Sequence, residues 1–281
     1  MEGLPFIKMH GLGNDFVIID GRVNPVEIDA ELARRIADRH TGIGCDQLIV
    51  LARPRNADAQ AFMTIRNADG GESAACGNAT RCVAALLMNE NGTDQAVIET
   101  GAGILVGEGA PEGITVDMDA PRTDWREIPL AEDHDTLHLP LQSGPVADPA
   151  ACSMGNPHAT FFVDDVLGLE IAAMGPGLEH DPIFPERANI GFAQVIAADR
   201  IRLRVWERGA GLTSACATGA CAAVVNGVRR GLLARRVNCI LDGGELMVAW
   251  RESDNHVLMT GPIAVAFTGF IAPDLLDGGT P

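Results

Sequence analysis

Asn67-Ala-Asp-Gly-Gly-Glu-Ser-Ala-Ala-Cys76-Gly77-Asn78 and Glu207-Arg208-Gly-Ala-Gly-Leu-Thr-Ser-Ala-Cys216-Ala217-Thr218 are two readings of one pattern. In each, a polar residue stands nine positions before a cysteine and a glycine-containing turn lies between them. A stretch rich in Ala and Val follows, Val83-Ala-Ala-Leu-Leu in the first and Ala222-Ala-Val-Val in the second. The likeness runs outward from both. Gly13-Asn14 before Phe16-Val-Ile-Ile returns as Gly155-Asn156 before Ala159-Thr-Phe-Phe-Val, and Gln47 returns as Asn189, each beside a short apolar segment. Gly101-Ala-Gly-Ile-Leu-Val matches Gly243-Gly-Glu-Leu-Met-Val, and Val116-Asp-Met118 matches Val257-Leu-Met259. The offset stays between 140 and 142 and the order never changes. A self-similarity of so long a period predicts a duplicated domain rather than a solenoid of many units.

Local patterns give each half the same content. Phe16–Asp20, Leu48–Leu51, Phe62–Arg66, Val97–Thr100, Ile104–Glu108 and Ile114–Met118 are short, rich in branched residues and mostly bounded by turn residues, as strands are. Phe161–Val163, Ala193–Ala197, Ile201–Trp206, Val237–Leu241, Leu246–Trp250 and Val257–Thr260 repeat the series. Helical periodicity marks Ile28–Arg39, and it recurs after each thiol at Gly77–Met88 and Ala217–Gly231, with Gly92 and Gly231 placed as C-caps. The expected fold is α+β: two pseudo-symmetric domains, each a strand-rich sheet wrapped around a central helix whose N-terminus carries the cysteine. The expected domains are 1–120 and 121–281, with the boundary in Asp119–Gln142 and a last strand near 263–272 returning to the first domain. The tail Asp274–Pro281 is expected to fray.

Composition narrows the function. A formal charge of −17 argues against nucleic-acid binding, which needs clustered Lys and Arg. No run of about 18 apolar residues is present, so no membrane span is expected, and the N-terminus lacks the pattern of a signal peptide. Seven cysteines, an odd number, read as reduced thiols in the cytoplasm. Cys45, Cys82, Cys152, Cys221 and Cys239 read as core filler, and their spacing does not suit a zinc site, so no metal is expected. Lys8 is the only lysine. With one candidate for a Schiff base, no phosphate-cradling lysine loop and no dinucleotide fingerprint, cofactor-free chemistry is expected.

Two thiols at helix starts suit one reaction class. A helix N-terminus presents unpaired N–H groups and lowers a thiol pKa. The N–H groups of Gly77-Asn78 and Ala217-Thr218 can hold a substrate carboxylate while negative charge builds in it. If the halves face each other across a cleft, Cys76 and Cys216 reach opposite faces of one carbon, and one removes a proton while the other donates. His158 and Glu207 are candidates to tune the thiols, although a lone His is more often structural and Glu207 could serve only its helix.

At Asn67 to Cys82 the chain resembles the diaminopimelate epimerase family. The resemblance continues at Lys8-Met-His-Gly-Leu-Gly-Asn14-Asp-Phe, Gly44-Cys-Asp-Gln47, Met154-Gly-Asn156-Pro-His158, Asn189-Ile-Gly-Phe and Trp206-Glu207-Arg208-Gly-Ala-Gly. It implies pyridoxal-independent interconversion of LL- and meso-2,6-diaminopimelate, a step toward lysine and peptidoglycan precursors. Cys76 and Cys216 become the acid/base pair, modulated by His158 and Glu207. Asn14, Gln47, Asn67, Asn156, Asn189, Glu207 and Arg208 surround the substrate, and Gly77, Asn78, Ala217 and Thr218 grip its reacting carboxylate. Asn67, Asn156, Asn189 and Arg208 suit the distal end, where Arg208 can hold the second carboxylate through two bonds.

Two departures stand out. Ala217 follows the second cysteine where the family usually has glycine, which is harmless if the position is helical, since only its N–H is needed. The chain has no tyrosine, and Phe267 stands where relatives often place one at a dimer contact. A homodimer is still expected, without a hydroxyl at that contact. Rival readings are a two-thiol proline or hydroxyproline racemase, a cofactor-free isomerase lacking the thiol pair, and a non-catalytic thiol redox or binding protein. Asn78 and Arg208 argue against the first, and the presence of both cysteines against the second.

Overall fold

The sequence offset reappears as a repeat in strand pairing. In the computed structural model, which describes residues 3–73 and 76–277, the first series is β1 (Leu4–Gly11), β2 (Asn14–Asp20), α1 (Ala30–Ala37), β3 (Gln47–Ala52), β4 (Ala61–Asn67), β5 (Glu72–Ser73), α2 (Gly77–Asn91), β6 (Gln95–Thr100), β7 (Gly103–Ala110) and β8 (Gly113–Asp117). A two-stranded ribbon follows, β9 (Gln142–Ser143) and β10 (Val146–Ala147). The second series is β11 (Ala150–Ser153), β12 (Pro157–Val163), α3 (Ile171–Glu179), β13 (Asn189–Ala197), β14 (Arg200–Glu207), β15 (Gly211–Thr213), α4 (Ala217–Arg229), β16 (Arg236–Leu241), β17 (Gly244–Trp250) and β18 (Val257–Gly261). β19 (Ala264–Ile271) and α5 (Pro273–Asp277) close the chain.

β1–β2 is antiparallel, β2–β3 parallel, β3–β4 antiparallel and β4–β6 parallel, and β6–β7–β8 is an antiparallel meander. β11–β12, β12–β13, β13–β14, β14–β16 and β16–β17–β18 repeat those senses in order. Parallel neighbours need a crossover, and the four helices α1 to α4 lie within the four crossovers. Register repeats as well. Phe16 lies opposite Gln47 in one unit and His158 opposite Asn189 in the other.

By packing, Met1–Val116 with Gly261–Pro281 forms one unit and Asp117–Thr260 the other. Residues from Gly261 onward count with the first unit, and β19, which covers the last strand expected near 263–272, pairs with β1 from Leu4 opposite Ile271 to His10 opposite Ala264. The second unit begins at Asp117, just before the Asp119–Gln142 stretch expected to hold the boundary. Ile128, Leu130, Leu139 and Leu141 from that stretch are buried in the second unit's core beside Phe161 and Phe192, whose rings stack at 5.6 Å. Full burial of such side chains contributes about 1.5–3 kcal/mol each, enough to commit the segment to one unit.

The helices form for different reasons. In α1, Asp29 accepts the N–H of Leu32 at 2.7 Å as N-cap, and Ala33, Ile36 and Ala37 face the core. The helix stops short of the expected Arg39 because Asp38 takes the N–H groups of His40 and Thr41 on its own carboxylate. α2 and α4 are buried around most of their circumference, as central helices are. Gly92 ends α2 at φ 64 with its N–H on the Met88 carbonyl. α4 ends at Arg229, and Gly231 stands beyond its Arg230 cap. α3 has no counterpart in the sequence reading, since Gly175-Pro-Gly177 masks its apolar face. In the tail, Pro273–Asp277 is helical, with Arg35 bonded to the Leu276 carbonyl at 3.1 Å, and 278–281 lie outside the described residues.

Candidate active site

Each unit builds a half-site around the N-cap of its central helix. Cys76 caps α2 at φ −149, ψ 109, and Cys216 caps α4 at φ −110, ψ 109; neither helix has an acid in its first turn. An extended cap leaves the first turn as the positive end of its helix. Ala217 is the first residue of α4, so the side chain that replaces glycine leaves the helical backbone intact.

In the first unit Asn14 lies at the start of β2, with its amide nitrogen on Asp46 Oδ2 at 2.9 Å. Its Oδ1 therefore faces the thiol side, accepting from Asn78 Nδ2 at 3.0 Å and from Cys76 Sγ at 4.0 Å. Gln47 and Asn67 are cross-strand partners in β3 and β4, and Gln47 Nε2 donates to Asn67 Oδ1 at 2.9 Å. Beneath them Lys8 is buried, ion-paired with Asp15 and donating to the Gly44 carbonyl. Burial pushes the Asp15 carboxyl up, but hydrogen bonds from Arg39 and Lys8 outweigh it and hold the group well below the usual range.

The second unit links its predicted residues into one chain. Asn156 donates from Nδ2 to Thr218 Oγ1 at 3.3 Å, which leaves its carbonyl oxygen to His158 Nε2 at 3.0 Å. Nε2 of His158 is then the protonated nitrogen and Nδ1 the acceptor. Burial, and secondarily the Arg208 charge, depress the His158 pKa to about 3, so the ring is neutral. The chain reaches Cys216 through Thr218 Oγ1, 3.7 Å from the sulfur. Asn189, opposite His158, donates to the Pro157 carbonyl at 3.0 Å and accepts the Arg208 backbone N–H at 3.0 Å. The Arg208 side chain is exposed, with Nη1 on the Glu186 carbonyl at 3.0 Å.

Cys216 donates to Glu207 Oε2 at 3.0 Å, and Thr213 donates to Oε1. Burial, then the Glu207 charge and hydrogen bond, raise this thiol well above the ordinary range; Thr218 and the Gly219 N–H pull the other way. Gly219 is needed here, because a Cβ would stand 2.9 Å from Val205 Cγ2 and 3.2 Å from the sulfur. Cys216 is accordingly a thiol at neutral pH. Glu207→Gln removes the second cause and leaves the first. The Cys216 pKa should fall toward, but not reach, its ordinary value, and alkylation of Cys216 at pH 8, mapped by mass spectrometry, should speed up severalfold. A rate that stays the same or drops would mean that burial alone protonates the thiol. Burial also raises four core thiols, Cys45 to about 11 and Cys82 and Cys152 to about 12, and Cys239 further.

Asp46, Thr213 and Gly219 escaped the sequence reading. Asp46 adjoins Gln47 within a quoted motif, and Thr213 lies two residues beyond Gly211, so proximity to named residues was the available signal. Among the described residues no cluster of metal-ligating side chains is found.

The diaminopimelate epimerase model matches residues 6–123 and 150–265. The chain is 61% identical to the diaminopimelate epimerase of Acidiphilium cryptum strain JF-5, covering 94% of this chain and 95% of the relative. It is 53% identical to the diaminopimelate epimerase of Rhodospirillum centenum, covering 98% and 95%. Among solved structures, a hydroxyproline epimerase from Agrobacterium vitis superposes with a TM-score of 0.68 over 98% of this chain and 94% of its own, at 16% identity, a likeness of fold alone. With a family model spread over both repeats and relatives of this identity over nearly full length, the chain belongs to the diaminopimelate epimerase family.

Proposed function

We propose that this chain interconverts LL- and meso-2,6-diaminopimelate by transfer of the α-proton between two thiols, without a cofactor. One observation carries the reading: a member of this family holds a cysteine at the N-cap of a buried central helix in each of its two repeats. The thiolate form of one cysteine takes the α-proton and becomes a thiol. The other thiol delivers its proton to the opposite face of the carbanion and becomes the thiolate. N–H groups of Gly77, Asn78, Ala217 and Thr218 hold the reacting carboxylate and strengthen as charge moves into it. Glu207 receives the Cys216 proton in its hydrogen bond, and neutral His158 orients Asn156. Asn14, Gln47, Asn67, Asn156 and Asn189 line the substrate, and Arg208 takes the distal carboxylate.

The reaction belongs in lysine and peptidoglycan precursor synthesis, in the cytoplasm. A homodimer fits the edge formed by β19, where Val265, Phe267 and Phe270 are exposed and Phe267 packs edge-on against Phe6 at 5.9 Å. In heavy water, deuterium should enter the α-position of the product, because the donating thiol has exchanged with solvent. Turnover assayed on folded, reduced protein without any incorporated label would end the two-thiol reading, and a purely redox thiol protein would give neither label nor epimer.

A further inference from the structure

Glu179, the last residue of α3, is a charged side chain that the proposed chemistry does not use, and it is only 3% exposed. Its carboxylate accepts from Trp206 Nε1 at 2.8 Å on Oε2, and from the Gly209 N–H at 2.9 Å and Arg187 Nη1 at 3.5 Å on Oε1. Two of these donors, Trp206 and Gly209, bracket Glu207 and Arg208. Its own carbonyl accepts the N–H of Ala188, directly before Asn189. The contact with Trp206 extends to the ring. Gly175 lies so close that a Cβ there would meet Trp206 Cδ2 at 2.3 Å, and a Cβ at Gly211 would lie 3.5 Å from the far edge of the indole.

The turn needs such support. Gly209 and Gly211 adopt φ 75 and 81, which glycine alone reaches without strain, and glycine brings the largest conformational entropy to be lost. Left to itself a Gly-Ala-Gly turn would sample many conformations, and the two residues it carries would not hold their positions. A buried carboxylate that collects one donor from each side of Glu207–Arg208 removes that freedom. We propose that Glu179 is a positioning residue that fixes the Trp206–Gly211 turn and so sets the placement of Arg208 for the distal carboxylate. This rests on the assignment of Arg208 made above.

Glutamine is the informative replacement. It keeps the shape, but its amide nitrogen turns an N–H toward Trp206 or Gly209, which leaves a buried donor without an acceptor. With the full chain assayed at a temperature where circular dichroism reports it folded, Glu179→Gln should raise KM at least tenfold while kcat changes by less than threefold. In an Arg208→Ala background the same change should add less than twofold, since residues acting as one unit are not additive. Trp206→Phe, which keeps the ring but removes its N–H, should raise KM at least threefold and serves if Glu179→Gln does not fold. Glu170→Ala, at the exposed start of α3, should match the wild type. A Glu179→Gln or Trp206→Phe enzyme with wild-type KM, or effects of Glu179→Gln and Arg208→Ala that simply multiply, would overturn the role. So would a normal KM in Arg208→Ala, because the residue acted through would then be wrong. A wild-type chain without epimerase activity would instead count against the function itself.

Discussion

Alanine at either Cys76 or Cys216 should abolish epimerisation, each variant losing at least about 10³-fold in kcat, within the span that a positioned acid or base supplies. Inversion needs a group on each face, so one thiol cannot cover for the other, and the two losses should not multiply in the double variant. Folding should survive. Removing Sγ of Cys216 takes one donor from Glu207 Oε2, but Thr213 still holds the other carboxylate oxygen. One hydrogen bond and the packing of one sulfur atom are lost, so the cost in stability should be about 1 kcal/mol. Activity is followed by coupled assay or polarimetry against the wild type, with circular dichroism confirming the fold. Either variant retaining more than a few per cent of wild-type turnover would remove the two-base mechanism, since a single remaining sulfur has no route to the opposite face.

The duplication was legible because it was written twice. Offsets between two motif copies survive loop changes, and the ladders carry the same shift, with Phe16–Gln47 and His158–Asn189 as equivalent pairs. The thiols were legible as helix caps because small apolar residues follow each of them. What escaped reading was set by tertiary contact. α3 hides its apolar face behind Gly175, Pro176 and Gly177, tolerated since the glycine admits the Trp206 ring. The prolines and mixed charge of Asp119–Gln142 point to a domain boundary, and they hide the four spaced apolar residues that are buried in the second unit's core. His158 read as a partner for a thiol. Within its own unit it bonds to Asn156, and the route to Cys216 runs through Thr218, a relay that spacing cannot reveal.

Arg208→Lys should cost about 100-fold in kcat/KM, carried mainly by KM, although the charge is kept. Arg208 already spends Nη1 on the Glu186 carbonyl, and its backbone N–H is fixed on Asn189. The guanidinium plane is thereby set, leaving further N–H groups in a rigid fork for a carboxylate. Lysine offers a point charge on a flexible stem and cannot serve the carbonyl and both carboxylate oxygens in one geometry. A loss of about 100-fold corresponds to about 2.7 kcal/mol, inside the range for truncating a paired charge. The charge itself has a separate effect, because Arg208 contributes, after burial, to holding His158 neutral. Lysine preserves that contribution, so the pH profile of kcat should keep its shape while KM rises. If the profile moves instead and KM does not, Arg208 acts on the imidazole rather than on the substrate. If both stay within threefold of the wild type, the distal carboxylate is held elsewhere, and the selectivity for a substrate charged at both ends would have to come from the asparagines alone.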